Sequence, residues 1–298
     1  MAKIPVVDFS KDDCLKPGTS SWLSARRDVC RALEDIGCFT AILPNKVPKE
    51  HANTFFSTFD DLFDFPISTP EKPFFYATSN SGQRTYGIIN GTNPQDVQQF
   101  THLIWPDGND QFRESADFYA KVLAELDQTV TRMVFENYGV EKYHDDHVRL
   151  MFYNLKMIRY EKPEKLDSDV GLKIHTDKNF STIIHQNHIN GLEINTKDDE
   201  WVLFDPPPSS IIFIAADGFQ VWSNDRIRPC RHRVTLTENV VRYTFGVFSV
   251  KKGVIHVPNE LVDEDHPLLY KPLNHVEFLM AQRHTGETEY AAKAYCAI

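Results

Sequence analysis

Trp22, Ala25, Val29, Leu33 and Ile36 share one side of a 3.6-residue repeat, which predicts an amphipathic helix over residues 21–36. The same spacing recurs over residues 50–63. At greater length it covers 118–138, where it predicts a long helix lying against a sheet. Ahead of these, Ile4-Pro5-Val6-Val7-Asp8-Phe9 reads as a short strand. Residues 64–75 hold Pro66, Pro70 and Pro73, which break either period, so a loop or short helix is expected; residues 77–92 are polar and bear glycine. Beyond Arg149 the repeat shortens to two residues, the period of strands, and continues through Val250. Within that run Pro206-Pro207-Pro208 removes three consecutive amide donors and marks a connecting loop. After Pro258 a last helix is expected over 276–284.

Helices gathered around a long run of short strands point to a mainly β protein with helices. The expected core is a double-stranded β-helix, or jelly roll, with an N-terminal helical region on one outer face and a C-terminal helix. The change of period puts a boundary near residue 145. Residues 1–145 are then a mostly helical region packing on the core and 146–298 the core itself, together one compact catalytic unit. A chain of 298 residues with 41% hydrophobic and 25% charged residues has ordinary globular composition. No apolar run reaches the ~18 residues a membrane span needs, and the first residues lead directly into a strand, so the expected compartment is the cytoplasm. Cys14, Cys30, Cys38, Cys230 and Cys296 are odd in number and scattered, which predicts reduced thiols. A net charge of −10 leaves no basic track for phosphates, so the expected partner is a small molecule and not a nucleic acid or a membrane. Nothing calls for more than a monomer.

The candidate chemistry begins at His175-Thr176-Asp177. Residues 172–184 carry β-branched side chains, and a period of two puts His175 and Asp177 on one face. A third ligand needs a second strand folded against the first, and Arg231-His232-Arg233-Val234 offers it. Asn224-Asp225, two residue types that tolerate left-handed backbone, predicts a hairpin turn between that strand and one over 219–222. Two imidazoles and a carboxylate occupy one face of an octahedral ferrous ion and leave three positions open. His185 and His188 lie near the same strand without the sequence context of His232, while His102 and Cys230 read as packing residues.

Farther along, the two-residue period sends Arg242, Thr244 and Phe248 to one side of a strand. Its other side, Tyr243, Phe245 and Val247, is also apolar, so both faces are covered and the permanently charged guanidinium needs an anion. A dicarboxylate would meet that need, with one carboxylate on Arg242 and the neighbouring Thr244 hydroxyl and a 2-oxo acid end on the iron. The competing arrangement is a buried ion pair with a protein carboxylate.

His-x-Asp, a distal His and Arg-x-Thr together resemble the pattern of the plant-type iron(II) and 2-oxoglutarate-dependent dioxygenases. The resemblance runs from Ile4-Pro5-Val6-Val7-Asp8-Phe9-Ser10 through Gly37-Cys38-Phe39-Thr40 and Trp222-Ser223-Asn224. It reaches His266-Pro267-Leu268-Leu269-Tyr270-Lys271-Pro272, a stretch similar to the branch with the alkenyl-glucosinolate-forming and auxin-oxidising dioxygenases. Leu43-Pro44-Asn45 replaces the usual Asn-His-Gly, and Met157-Ile158-Arg159-Tyr160-Glu161 stands in place of Asn-Tyr-Tyr-Pro.

The resemblance implies Fe(II) on His175, Asp177 and His232, and 2-oxoglutarate on Arg242 and Thr244 with Tyr160 as a further contact. Ascorbate is a candidate reductant. The implied reaction uses O2 to oxidise a small, largely apolar metabolite or hormone by hydroxylation, dealkylation, desaturation or ring closure, with succinate and CO2 as co-products. Gln99 and Thr101 fall where relatives place substrate contacts; Phe248, Phe180 and Tyr86 are candidates from strand alternation, nearness to the ligand strand and a glycine-flanked loop. Asp177 stands where related halogenases have a small residue, which argues against halogenation. Two other classes are an ascorbate-dependent oxidase on the same scaffold and a non-catalytic jelly-roll protein holding zinc.

Overall fold

The computed structural model describes residues 3–65, 73–79, 83–161, 170–207, 210–236, 240–286 and 288–298. The chain enters through β1 (Val6–Asp8), then α1 (Ser20–Asp35) and β2 (Cys38–Ile42). Thr19 caps α1 by accepting from the Trp22 amide at 3.1 Å, the helix buries the expected apolar stripe, and it stops at Gly37, whose φ of +76° few other residues would adopt. Next come α2 (Lys49–Phe56), α3 (Phe59–Asp64), β3 (Phe74–Thr78), β4 (Gln83–Ile88), α4 (Pro94–Ile104) and α5 (Asp110–Asn137). The second half holds α6 (His144–Leu150), β5 (Met151–Tyr160), β6 (Val170–His175), β7 (Ser181–Gln186), β8 (Leu192–Asn195), β9 (Trp201–Leu203) and β10 (Ser210–Ala215). It closes with α7 (Asp217–Trp222), β11 (His232–Thr235), β12 (Arg242–Lys251), β13 (Val254–Ile255), β14 (Leu273–Asn274), α8 (His275–Gln282) and α9 (Ala291–Cys296).

These strands make an eight-stranded sheet in the order β1-β2-β10-β7-β12-β5-β4-β3 and a four-stranded sheet β6-β11-β8-β9, with β13 and β14 paired apart. Apart from the parallel β1–β2 pair, the ladders of both sheets are antiparallel. One core fills the space between the large sheet and the helices. A second lies between the two sheets, where Ile158, Ile184, Ile212 and Phe248 of the large sheet cluster with Leu192, Ile194 and Val234 of the small one. The result is a mixed helix and sheet protein in which a cavity opens between the sheets.

Several expectations change on contact with the structure. Residues 50–63 form two helices, because the Ser57 and Thr58 hydroxyls bond back to the carbonyls of Thr54 and Phe55 and interrupt the ladder. The polar stretch 77–92 contains β4 and the end of β3, and α4, which was not expected, follows behind the Asn93 cap and Pro94. Residues 219–222 lie in α7 and not in a strand. Asn224 and Asp225 do take left-handed backbone, with φ of 53° and 66°, but they end that helix and make no hairpin. Their side chains instead bind the C-terminal stretch: Asn224 accepts from the Leu269 amide at 2.9 Å and Asp225 accepts from the Tyr270 hydroxyl.

The N-terminal 145 residues are not only a helical cover, since β1 to β4 supply both edges of the large sheet. Pro206 and Pro207 lie in a loop as expected, and Pro208 is outside the described residues, as are Pro66 and Pro70. All five cysteines are free and buried. Among the described residues no helix is long and apolar enough to cross a membrane.

Candidate metal centre

β6 ends on His175 and β11 begins on His232, and the antiparallel register sets these two residues directly opposite each other. Opposed residues of antiparallel strands project to the same side, and the two imidazole rings stand 4.1 Å apart between centroids. Asp177 is two residues past the end of β6 and not in the strand itself; the turn leading to β7 returns it to the same point. The ligand atoms of the three residues all lie within 4.8 Å of one another, with His175 Nε2 3.7 Å from Asp177 Oδ1.

Each ligand is held by its own neighbours. His175 Nδ1 donates to the Lys173 carbonyl at 2.8 Å and His232 Nδ1 to the Cys230 carbonyl at 3.0 Å. A carbonyl only accepts, so Nδ1 is the donor in both rings and Nε2 is the nitrogen placed to ligate a metal. Thr182 donates to Asp177 Oδ2 at 2.6 Å, leaving Oδ1 toward the histidines. Burial alone pushes the Asp177 carboxyl up, but His175, His232 and the Thr182 hydroxyl outweigh it and hold the group below the usual carboxylate range. A carboxylate kept ionised and two imidazoles form the two-histidine, one-carboxylate donor set suited to ferrous iron with open positions.

Thr176, between the two ligands on the turn, ties this loop to the end of the chain. Its hydroxyl donates to Asp217 Oδ1 and accepts from the Tyr290 amide, both at 2.7 Å, while Asp217 Oδ2 accepts from the Ala292 amide at 2.9 Å. The start of α9 is thereby fastened to the ligand turn, a connection that the sequence did not announce.

Arg242 opens β12 and is 1% exposed. Its Nη2 donates to Gln186 Oε1 at 2.8 Å and its guanidinium lies 5.1 Å from the centre of the Tyr160 ring. Arg242 Nε and Thr244 Oγ1 are buried with no hydrogen-bond partner among the described residues, and no described carboxylate pairs with the guanidinium. The competing ion pair is therefore not formed among the described residues. Two orphaned groups on one strand face, one of them cationic, fit a carboxylate such as the distal one of 2-oxoglutarate. Burial raises the Tyr160 phenol, so it stays a neutral partner beside that site.

A cavity of about 400 Å³ opens at the metal ligands: its lining includes all three of them, Tyr160 and Phe248, while Arg242 and Thr244 lie behind Tyr160 and are not among the lining residues. Strand parity decides what reaches it. Asn154, Lys156, Ile158 and Tyr160 alternate along β5 on the cavity face, with Gln83 and Thr85 on β4. Phe248 lines the cavity as expected. Tyr86 falls between Thr85 and Gly87, so it points to the helices, against Phe63 and Phe100. Phe180 is fully buried between Phe219 and His147, because the chain has already turned inward there. Thr101 is buried on α4, bonded to the Val97 carbonyl, and Gln99 is exposed on the same helix; neither is among the cavity-lining residues. Of the five candidate substrate contacts, only Phe248 lines the cavity that holds the metal-ligand residues.

His185 and His102 lie away from the metal ligands. His185 packs among Phe56, Tyr119 and Phe245 on the helix side, and burial lowers it to about 4. His102 bonds to the Gln98 carbonyl on α4. Cys230 helps to hold His232 through its backbone carbonyl, while its thiol is buried and raised first by its hydrogen bond with Cys38 and then by burial. Sequence reasoning missed Thr182, Gln186, Asn154 and Lys156. For the last two the signal was their even spacing from Tyr160.

Residues 145–251 match the model of the 2OG-Fe(II) oxygenase superfamily. Among curated proteins, the chain is 37% identical to the Arabidopsis thaliana protein named "Probable 2-oxoglutarate-dependent dioxygenase AOP1.2", over 99% of this chain and 94% of that one. It is 28% identical to "2-oxoglutarate-dependent dioxygenase AOP2" of the same plant, over 99% and 98%. Among solved structures, the rice dioxygenase for auxin oxidation superposes with a TM-score of 0.83 at 24% identity, over 99% of this chain and all of that one.

Proposed function

The chain belongs to the family of 2-oxoglutarate-dependent dioxygenases, and from that premise we propose that it oxidises a small, largely apolar metabolite in the cavity between its two sheets. Fe(II) and 2-oxoglutarate are its cofactor and cosubstrate. The observation that carries the reading is the pairing of two incomplete sites: a converged His175, Asp177 and His232, and on β12 Arg242 and Thr244, whose Nε and Oγ1 have no hydrogen-bond partner among the described residues.

In this reading His175, Asp177 and His232 hold the iron, and Arg242, Thr244 and Tyr160 hold the far carboxylate of the cosubstrate. Together iron and 2-oxoglutarate supply, when bound, the oxidising power that O2 delivers to a substrate C–H bond, with succinate and CO2 as co-products. The protein's part is positional. Thr182 keeps Asp177 in one orientation, and the Lys173 and Cys230 carbonyls fix both imidazoles. Gln186 aims the guanidinium, and Phe248 offers the substrate an apolar wall.

Finer features follow as part of the proposal. The two facing sheets are read as a double-stranded β-helix, supported by their antiparallel ladders and shared core. Residues 1–145 and 146–298 are read as one catalytic unit, supported by the strands that both contribute to the large sheet. The enzyme is read as a cytoplasmic monomer acting on small molecules of plant specialised metabolism and not on nucleic acid, in keeping with the net charge of −10 and the plant relatives. The test is oxygen uptake and succinate release on adding Fe(II) and 2-oxoglutarate with a metabolite pool. Both should stop with a chelator and in His232→Ala; turnover that ignores either would refute the assignment.

A further inference from the structure

Lys156 is a cation of the cavity lining that neither the metal nor the cosubstrate site uses. Its side chain rises from β5 on the cavity face, and its ammonium lies 3.6 Å from the centre of the Phe248 ring. Among the described residues it has no carboxylate partner and no hydrogen bond. An ammonium away from water is costly to leave unpaired, and one aromatic face offsets only part of that cost. Burial accordingly works against its charge, while Asp177 favours it.

The register of the large sheet shows how room is made around this cation. Gly246 of β12 and Gly87 of β4 stand directly beside Lys156 on either side. A Cβ at Gly246 would meet the Ile183 carbonyl oxygen at 2.2 Å, and one at Gly87 would meet the Phe75 ring at 2.0 Å, so neither glycine can carry a side chain without displacement. Lys156 therefore stands alone between Ile184 and Phe75, the outer members of the same row. One row away, Asn154 is also on the cavity face, with Oδ1 buried and unpartnered. Its amide can turn to present the NH2 group to an acceptor.

Charge around the cavity points the same way. Asp177 is the only carboxylate among its described lining residues, and it belongs to the metal. Arg283 stands exposed on the rim, bonded to His284 and to no described carboxylate. A chain with net charge −10 thus turns a cationic wall to its substrate.

We propose that Lys156 determines specificity for an organic acid: a substrate whose carboxylate meets the Lys156 ammonium beside the Asn154 amide, and whose apolar body lies against Phe75, Ile158 and Phe248. This rests on the oxygenase reading and names the substrate class of that site.

The test uses the full iron-loaded chain and matched probes, a panel of aromatic and alicyclic carboxylic acids and their methyl esters. Formation of the visible charge-transfer absorption of the anaerobic iron–2-oxoglutarate complex is recorded first, without any probe. Its absence from the wild type would remove the oxygenase reading itself. With the complex formed, acids should raise succinate release above the probe-free rate and esters should not. In Lys156→Met the half-saturating acid concentration should rise about ten- to a hundredfold, with part of the preference restored in Lys156→Arg. Esters as effective as acids, no response to either set, or a Lys156→Met variant that keeps the acid preference while its 2-oxoglutarate requirement rises would each overturn the proposal.

Discussion

The two faces of the large sheet meet the rest of the molecule on opposite terms, and β12 carries both. Toward the helices it presents Phe245, whose ring lies between 4.5 and 6.4 Å from those of Phe55, Phe56, Phe59, Tyr119 and His185. Toward the cavity the same strand presents Arg242 and Thr244 with partnerless polar atoms. Partnerless atoms also occur on the helix side, at the Tyr119 hydroxyl and His185 Nδ1. The difference is charge. A neutral group left unbonded costs about 1–3 kcal/mol, and a stranded cation costs more, so only the cavity face demands a ligand. One face completes the fold, and the other is completed by what binds.

The strongest way to break this comparison is to substitute both faces in turn. Asp177→Ala should weaken metal binding beyond the roughly 100-fold that loss of an outer partner can cause, as read by chelator competition, and should leave the denaturant midpoint nearly in place. Phe245→Ala should do the reverse, costing about 3–5 kcal/mol of stability while the folded fraction keeps its metal affinity. Equal damage to both properties by either variant would erase the distinction.

Arg242→Ala sharpens the cavity side by itself. It should raise the half-saturating 2-oxoglutarate concentration about ten- to a hundredfold with metal affinity preserved, measured by anaerobic titration. The smallest effect belongs to Asp127 on α5, which accepts from Tyr153 and Ser181 behind the sheet and is pushed up to about 6 by burial. A carboxyl raised in the folded state stabilises it fully below its unfolded pKa of 3.8, and that contribution is lost as pH rises through about 6. The wild type should therefore lose on the order of 1–3 kcal/mol over that window relative to Asp127→Asn, by denaturant titration at each pH.

How much of this was legible follows from which contacts are local. The period of two told Arg242 and Thr244 apart from Tyr243 and Phe245, and the helix over residues 21–36 emerged nearly at its full length. His175 and His232 could be paired in advance because opposed strands share a face. The hairpin expected between residues 219–222 and the His232 strand was wrong, since a run as short as Phe219-Gln220-Val221-Trp222 suits a helix as well as a strand. Tyr86 and Phe180 were misplaced because the side a residue faces depends on where its strand begins. Lys156 was readable as a neighbour of Tyr160, but the glycines flanking it come from β4 and β12, distant in sequence and set beside it by sheet register.

The central claim is that His175, Asp177 and His232 hold one iron ion while Arg242 receives the far carboxylate of 2-oxoglutarate. Anomalous diffraction at the iron edge, from crystals grown anaerobically with both, tests it most directly. The expected result is a single iron peak bounded by those three side chains, with cosubstrate density running from it to Arg242 and Thr244. A peak elsewhere, or a carboxylate bound away from Arg242, would contradict it.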